Sequence, residues 1–397
     1  MARDDKALTK ARELLARFPL FDGHNDLPFV IRRDEANGDV KAYGLDRVHQ
    51  ESDTDIPRLR DGLVAAQVFA AFVPTSVPHP ARFTLEQIAI GLDIETVHAD
   101  VFHPARRASD VAKAKRLGKI ASVLSVESGV GLEGSLSPLR VWYAAGIRIL
   151  TLCHNETLDW IDSATDAPRH DGLTGFGRAV IAECNRLGIM VDLAHASPKA
   201  QHAALDCARA PLLWSHSNAF SLCNHPRNVP DDVLDRVKAN GGLVMATFVP
   251  NFISRKSHEW VSPFQVNGKT KPGLDIDSAV TEKARAEGPW PRGSISELCD
   301  HIAYIVDKTG PDHIGIGSDF YGGPNPPDLN DASRFPHLIA ELVRRGWSDT
   351  AIGKIASGNI LRVWKTVERE AKALAAAEAP GIAQVSAEIL TRKRRKS

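Results

Sequence analysis

The chain has 397 residues, 43% of them hydrophobic and 25% charged, the composition of an ordinary soluble enzyme with an ample core. Lys plus Arg and Asp plus Glu number 49 each, so overall charge gives no reason to expect nucleic acid or another polyanion as partner. The five cysteines are scattered without a C-x-x-C pair, which argues against a disulfide scaffold and for a reducing compartment.

The stretch Met1-Ala-Arg-Asp-Asp-Lys-Ala-Leu-Thr-Lys is charged and lacks the apolar core of a secretory signal. No segment approaches the ~20 apolar residues of a spanning helix, so a cytoplasmic protein with no membrane partner is expected. The first apolar run, residues 20–24, leads through Phe21-Asp22-Gly23-His24-Asn25-Asp26-Leu27-Pro28. Alternate residues of a strand share a face, so His24 and Asp26 are expected to reach one metal ion together. Further apolar, β-branched runs fall at 65–73, 120–127, 148–154, 189–195, 212–216, 243–249 and 313–319. Helical patterns separate most of them. Thr84-Leu85-Glu86-Gln87 and Ser294-Ile295-Ser296-Glu297 read as capping boxes, and Ser197-Pro198 as a cap with proline at the first helical position. Gly188 and Gly241 are placed to end helices. Residues 265–291, polar and rich in Gly and Lys, read as an elongated loop over a barrel mouth, and 367–379 as a terminal helix. Strands alternating with helices predict an α/β fold, a closed (β/α)8 TIM-type barrel with extra C-terminal helices. It would form one domain over 1–380, followed by a flexible basic tail at 381–397. The run Thr391-Arg-Lys-Arg-Arg-Lys-Ser397 in that tail reads as a solvated terminus, since nothing aromatic interleaves it.

Active sites of such barrels lie at the carboxyl ends of the strands. Here those ends carry His24 and Asp26, Glu127, His154, His195, His216 and Asp319. A lone buried histidine is usually a hydrogen-bonded core residue. Four of them with three carboxylates at one end would cost several kcal/mol per group without a counter-ion. A metal site removes that cost. Imidazoles and carboxylates without thiolates suit zinc, with manganese, cobalt or iron as alternatives. His24, Asp26, Glu127, His195 and His216 are too many ligands for one tetrahedral catalytic ion. They fit two zinc ions per chain bridged by Glu127, with a bridging hydroxide as nucleophile. Asp319 is left as the acid/base that moves a proton to the leaving group. The chemistry expected is metal-assisted hydrolysis.

Several stretches carry a resemblance: Asp22-Gly-His-Asn-Asp-Leu-Pro28, Ser125-Val-Glu127, Leu150-Thr-Leu-Cys-His154, Val191-Asp-Leu-Ala-His-Ala-Ser197, Ser215-His-Ser217, Arg227-Asn-Val-Pro-Asp-Asp-Val233 and Gly317-Ser-Asp-Phe320. Together they resemble the membrane (renal) dipeptidase family, zinc peptidases among the amidohydrolase-like barrels. The resemblance implies His24, Asp26 and Glu127 on one zinc, and Glu127, His195 and His216 on the other. It places His154 on the scissile carbonyl, Arg227 on the C-terminal carboxylate of the substrate, and Asp319 as proton shuttle. A guanidinium suits that carboxylate, since it donates two parallel hydrogen bonds. The substrates implied are free dipeptides, including those with a C-terminal D-residue, and a homodimer through outer helices follows by analogy. The alternative is another binuclear amidohydrolase acting on a lactam, lactone or N-acyl amino acid. Those relatives usually begin with H-x-H, whereas this chain has H-N-D.

Tyr321 stands where the family commonly has Asp, and Val249 near a tyrosine of the mammalian enzymes; both departures are expected to touch the pocket. His170 and His225 are expected to be solvated loop residues, and Trp160 and Asp162 are candidates to line the pocket. Asp192 is expected to make a structural hydrogen bond on the face opposite His195, and Cys153 to pack behind the barrel.

Overall fold

Asp22 pairs with Ile316 on one side and Gln67 on the other, which makes the first and last strands neighbours. The structure, a computed structural model that describes residues 2–50 and 52–383, is built on that closure. Eight parallel strands run in chain order around a barrel: β1 (Leu20–Asp22), β2 (Val64–Phe72), β3 (Ile120–Glu127), β4 (Ile147–Thr151), β5 (Met190–Asp192), β6 (Leu213–Trp214), β7 (Leu243–Ala246) and β8 (Ile314–Ile316). A short extra strand, Phe102–Pro104, pairs with the first residues of β3, and β4 takes over the same edge from Leu124 onward.

Strand alternation positions the chemistry. Ala121 and Val123 of β3 pack in one apolar cluster with Phe21, Val68, Ile149, Met190, Leu213 and Met245, contributed by strands from all around the barrel. Leu124 and Val126 belong to the larger cluster that the strands share with the helices. Glu127 keeps the parity of Ala121 and Val123, so it points inward at the carboxyl end of the barrel.

Helix boundaries follow local chemistry. Ser294 accepts from the Glu297 amide and opens helix Ile295–Thr309, whose Ile295, Leu298, Ile302 and Ile305 are buried at the expected spacing. Ser197 caps Pro198–Cys207 in the same way. Gly188 and Gly241 close their helices in the left-handed conformation. The reading of Thr84 as a cap is corrected. The helix there starts at Pro80, and the Thr84 hydroxyl donates to the Pro80 carbonyl one turn back. Proline at the first position decided the start.

Most strands end before the polar residues expected to terminate them. β1 stops at Asp22, β4 at Thr151, β5 at Asp192, β6 at Trp214 and β8 at Ile316. Only Glu127 among the site residues lies on a strand, so the others occupy the loops that leave the strands. The segment expected as one elongated loop is structured. It holds a hairpin of Gln265–Val266 with Lys269–Thr270 and a helix Ile276–Glu287, and a short helix Arg255–Val261 precedes it. The terminal helix runs over Asn359–Ala377, and the basic run 391–397 lies outside the described residues. Among the described residues, no helix is long and apolar enough to cross a membrane.

Gly317 sits where a Cβ would come 1.8 Å from the Ser215 carbonyl oxygen, while a Cβ on Gly175 would meet nothing within 4 Å. Gly317→Ala is therefore expected to destabilise by about 1–3 kcal/mol or more and to lower the thermal midpoint by several degrees. Gly175→Ala, at a helix start, should leave the midpoint level or raise it slightly. Scanning calorimetry on the two variants checks both.

Candidate metal centre

The segment after β1 runs beside the segment after β8. Asp319 N donates to the His24 carbonyl, Asp26 N donates to the Phe320 carbonyl, and Asn25 bridges to Phe320. This pairing, rather than strand alternation, sets His24, Asp26 and Asp319 side by side. Asp26 occupies the position before helix Leu27–Arg33 yet makes no capping hydrogen bond. Its Oδ1 is buried without a partner, as is His24 Nε2.

Glu127 stands between two groups of imidazoles. Its Oε2 lies 3.4 Å from His24 Nε2, which is 3.6 Å from Asp26 Oδ1 and 3.9 Å from Asp319 Oδ1. Its Oε1 lies 3.0 Å from His195 Nε2 and 3.6 Å from His216 Nε2, and these two nitrogens are 3.1 Å apart. The ligand atoms of His24, Asp26 and Glu127 fall within 4.8 Å of one another, and so do those of Glu127, His154 and His195 and of His24, His216 and Asp319. All seven residues expected at the strand ends thus converge. Distance alone does not divide ligands from acid/base groups among them.

The tautomer of His216 follows from its neighbours. Asp192 accepts from Ser215 N at 2.8 Å, from Ser215 Oγ at 2.6 Å and from Thr151 Oγ1 at 2.5 Å. The Ser215 hydroxyl spends its one hydrogen on Asp192, so at the 2.7 Å contact His216 Nδ1 must donate to Ser215 Oγ. The Nε2 lone pair then faces Glu127 and His195. The Glu127 carboxylate oxygen and the His216 Nε2 lone pair, 3.6 Å apart, repel each other unless a proton or a cation sits between them. Together with the orphaned atoms of His24 and Asp26, this donor set fits metal ions bound by nitrogen and oxygen.

Electrostatics agree. Burial disfavours charge on His24, but Glu127 and Asp26 outweigh it and hold its pKa well above the usual range. Burial pushes Glu127 up, and pushes Asp319 up to about 8 with Asp26 and Glu127 adding to the effect. Burial holds His195 and His216 well below the usual range, so both offer neutral imidazoles. Bound cations would replace the protons that the cluster otherwise retains.

His154 packs between Phe72 and His195, with ring centroids 4.5 and 4.3 Å away, and burial with the nearby Arg227 charge lowers its pKa to about 3. Arg227 is 3% exposed. Its Nη2 donates weakly to the His216 carbonyl at 3.4 Å, and its Nη1 is buried without a partner. A cavity of about 900 Å³ opens over the cluster, touched by Asp26, Glu127, His154, His195, Arg227 and Asp319.

These residues sit within a chain that matches the family model described as Membrane dipeptidase (Peptidase family M19) over residues 8–378. The chain belongs to the membrane dipeptidase family. It is similar to the dipeptidase verJ of Clonostachys rogersoniana, 36% identical over 93% of this chain and 89% of that protein. It is also similar to the dipeptidase ataJ of Aspergillus terreus, 36% identical over 91% and 87%. Among solved structures, the probable dipeptidase PvdM from Pseudomonas aeruginosa matches with a TM-score of 0.78 and 26% identity over 92% of this chain and 99% of that chain. The chain is therefore an enzyme of the metallopeptidase class, and the family implies zinc as its metal cofactor.

Around this family centre some expectations need correction. Tyr321 does not line the cavity. Its hydroxyl bonds Ser52 Oγ at 2.5 Å and the Thr54 amide and carbonyl at 2.9 Å each. His225 is buried rather than solvated: its Nδ1 accepts from Arg227 N at 3.2 Å and its ring lies against Phe252. His170 is half-buried, with Nε2 2.8 Å from the Leu158 carbonyl oxygen. Asp162 pins its loop through the amides of Arg169, His170 and Gly172, and Trp160 packs on Phe176; neither lines the cavity. Val249 does line the cavity and Cys153 is buried, as expected. Asp192 does make structural hydrogen bonds, but through Ser215 it also orients His216. Ser215 itself carried no expected role, although its place next to His216 in Ser215-His216-Ser217 is the signal that would have found it.

Ser215→Ala removes the acceptor for His216 Nδ1 and leaves Asp192 short of a donor. Zinc affinity should fall about 10–100-fold, read by competition with a chromogenic chelator. Unchanged affinity would mean that this hydroxyl does not orient the imidazole.

Proposed function

We propose that this enzyme is a two-zinc dipeptidase that cleaves the peptide bond of free dipeptides, those with a C-terminal D-residue among them. The observation that carries the reading is the division of Glu127. One oxygen faces His24 and the other faces His195 and His216. That is the arrangement a bridging carboxylate needs. His24 and Asp26 would hold one ion, His195 and His216 the other, and Glu127 both. When bound, zinc supplies Lewis acidity, which polarises a carbonyl and lowers the pKa of water to about 7.

The chain's own residues perform the rest. Arg227 brings an unpaired guanidinium N–H to the cavity, and a substrate carboxylate supplies the anion that this buried cation lacks. His154 is neutral, so it steadies the developing oxyanion by donating a ring N–H rather than by positive charge. Asp319 accepts the proton of the attacking water at its carboxylate and returns it to the amine nitrogen as the C–N bond breaks. Its backbone is in the left-handed region at φ +62°, which aspartate tolerates better than most residues. All five cysteines are free, which supports a reducing compartment such as the cytoplasm.

The test is a hydrolysis screen of zinc-loaded enzyme against L-Xaa-L-Xaa and L-Xaa-D-Xaa dipeptides with C-terminally amidated controls. Free dipeptides should be cleaved far faster than amidated ones. No turnover of any dipeptide by protein holding two metals per chain would refute the substrate class. Arg227→Met should lower kcat/KM for free dipeptides about 10–100-fold while barely affecting amidated ones. An equal loss on both would end the carboxylate-clamp role. Asp319→Asn should keep both metals, measured by plasma emission, and lose about 10²–10⁴-fold in turnover. Loss of a metal in that variant would make Asp319 a ligand instead.

A further inference from the structure

The cavity is larger than the chemistry requires. Clefts of about 300–1,000 Å³ take drug-sized ligands, and at about 900 Å³ this one would leave most of its space to water around a dipeptide of two small residues. Its outer wall comes from the segment 250–293, where an apolar strip of Ile276, Val280, Ala284 and Trp290 stands among the polar Gln265, Lys269, Asp277 and Arg292. Helix Ile276–Glu287 has no fully buried residue, yet Ile276, Val280 and Ala284 line the cavity. Spaced four residues apart, they form one stripe along the helix, of the kind an amphipathic helix ordinarily buries against its own protein. Here the cavity lies opposite the stripe. Val261 and Trp290 add apolar surface to the same cavity, while Phe252 lies beside the Arg227 guanidinium, which is 5.5 Å from the Phe252 ring centroid. The wall is anchored: Trp290 Nε1 donates to Ser257 Oγ at 2.7 Å, and the Trp290 ring stacks on Trp260 at 6.1 Å.

The direction of the substrate follows from depth. Arg227 is buried beside the His216 carbonyl. With the C-terminal carboxylate held there, the N-terminal residue faces the mouth, where the helix lies. Resting on the dipeptidase reading, we infer that the preferred substrates are dipeptides whose N-terminal residue carries a large apolar side chain, and that the stripe Ile276, Val280 and Ala284 selects it. The ligand completes the burial that the helix lacks.

Zinc-loaded enzyme should hydrolyse L-Phe-L-Ala with kcat/KM at least about tenfold above L-Ala-L-Ala, and L-Ala-L-Phe should gain less. Val280→Asp, which charges the wall, and Ala284→Leu, which fills the space before it, should each pull the ratio of L-Phe-L-Ala to L-Ala-L-Ala towards one. Equal kcat/KM for L-Phe-L-Ala and L-Ala-L-Ala in the unmodified enzyme overturns the inference and leaves the dipeptidase reading intact. So does a ratio that neither substitution changes. A reading independent of turnover comes from calorimetric titration of zinc-loaded Asp319→Asn protein with the same two dipeptides. L-Phe-L-Ala should bind at least about tenfold more tightly, with the difference lost when Val280→Asp is added. If no dipeptide is hydrolysed, the dipeptidase reading fails, and this titration alone decides the wall. Equal affinities would remove it.

Discussion

Glu127 carries a carboxylate to the inward face of the barrel, where it is 2% exposed and surrounded by four imidazoles and two further acids. Burying a charge there costs several kcal/mol unless opposite charge and hydrogen bonds compensate. The surrounding groups cannot do so alone, because most of them are acceptors or neutral rings competing for the same space. Metal ions would satisfy both oxygens of the carboxylate and the lone pairs that face them. The demand of one buried side chain is thus consistent with histidine and aspartate converging from five separate loops.

Holding those loops in register requires supports outside the cluster, and the barrel uses one device twice. Asp22 at the end of β1 pairs with Ile316 and accepts hydrogen bonds from the amide and hydroxyl of Ser318, two residues on and past the end of β8. Asp192 at the end of β5 pairs with Leu213 and accepts likewise from Ser215, two residues on and just past the end of β6. Each clamped serine precedes a site residue, Asp319 in one case and His216 in the other. The clamp fixes the chain at the point where the regular strand hydrogen bonds stop. Beyond Ser318 the backbone enters the left-handed region at Asp319 and again at Tyr321, φ +62° and +74°. For a bulky residue such as tyrosine that conformation is costly. The bonds of the Tyr321 hydroxyl to Ser52 and Thr54, and of its amide to Asp53, hold it there.

The barrel and its polar mouth were legible because both rest on short-range patterns. All eight strands lie where apolar, β-branched runs predicted them, and all seven residues at their ends meet in one place. What could not be read was how those residues get there. His24 and Asp26 were expected to share the face of a strand, yet β1 ends at Asp22 and they are set by pairing with 319 and 320, nearly 300 positions away in sequence. The same limit hid Ser215, whose meaning depends on Asp192 across a strand boundary. His225 looked like a solvated loop residue because the rings packed on it, Phe252 and His258, come from the fold rather than its immediate neighbours. The Gly- and Lys-rich composition of 265–291 masked a helix whose apolar positions need a cavity opposite them to be recognised as a face.

The barrel and the segment over its mouth divide the work differently. None of the residues clustered around Glu127 lies between 250 and 293, and most of the apolar side chains that line the cavity do. Substitution in that segment can reshape what fits without disturbing the cluster around Glu127. The separation is not complete, because the hairpin packs on the residue behind the arginine. A Cβ on Gly268 would come within 2.8 Å of the His225 ring, whose Nδ1 accepts from the Arg227 amide and whose ring lies 4.3 Å from Phe252. Arg227 and the hairpin are thus two sides of one packed unit, with His225 between them. A shift of the hairpin must move His225 or open a gap at it, and interiors packed this closely transmit such shifts rather than absorb them. The segment that shapes the apolar wall therefore also helps set the position of Arg227, so the grip on the carboxylate and the fit of the side chain are coupled through a single buried ring.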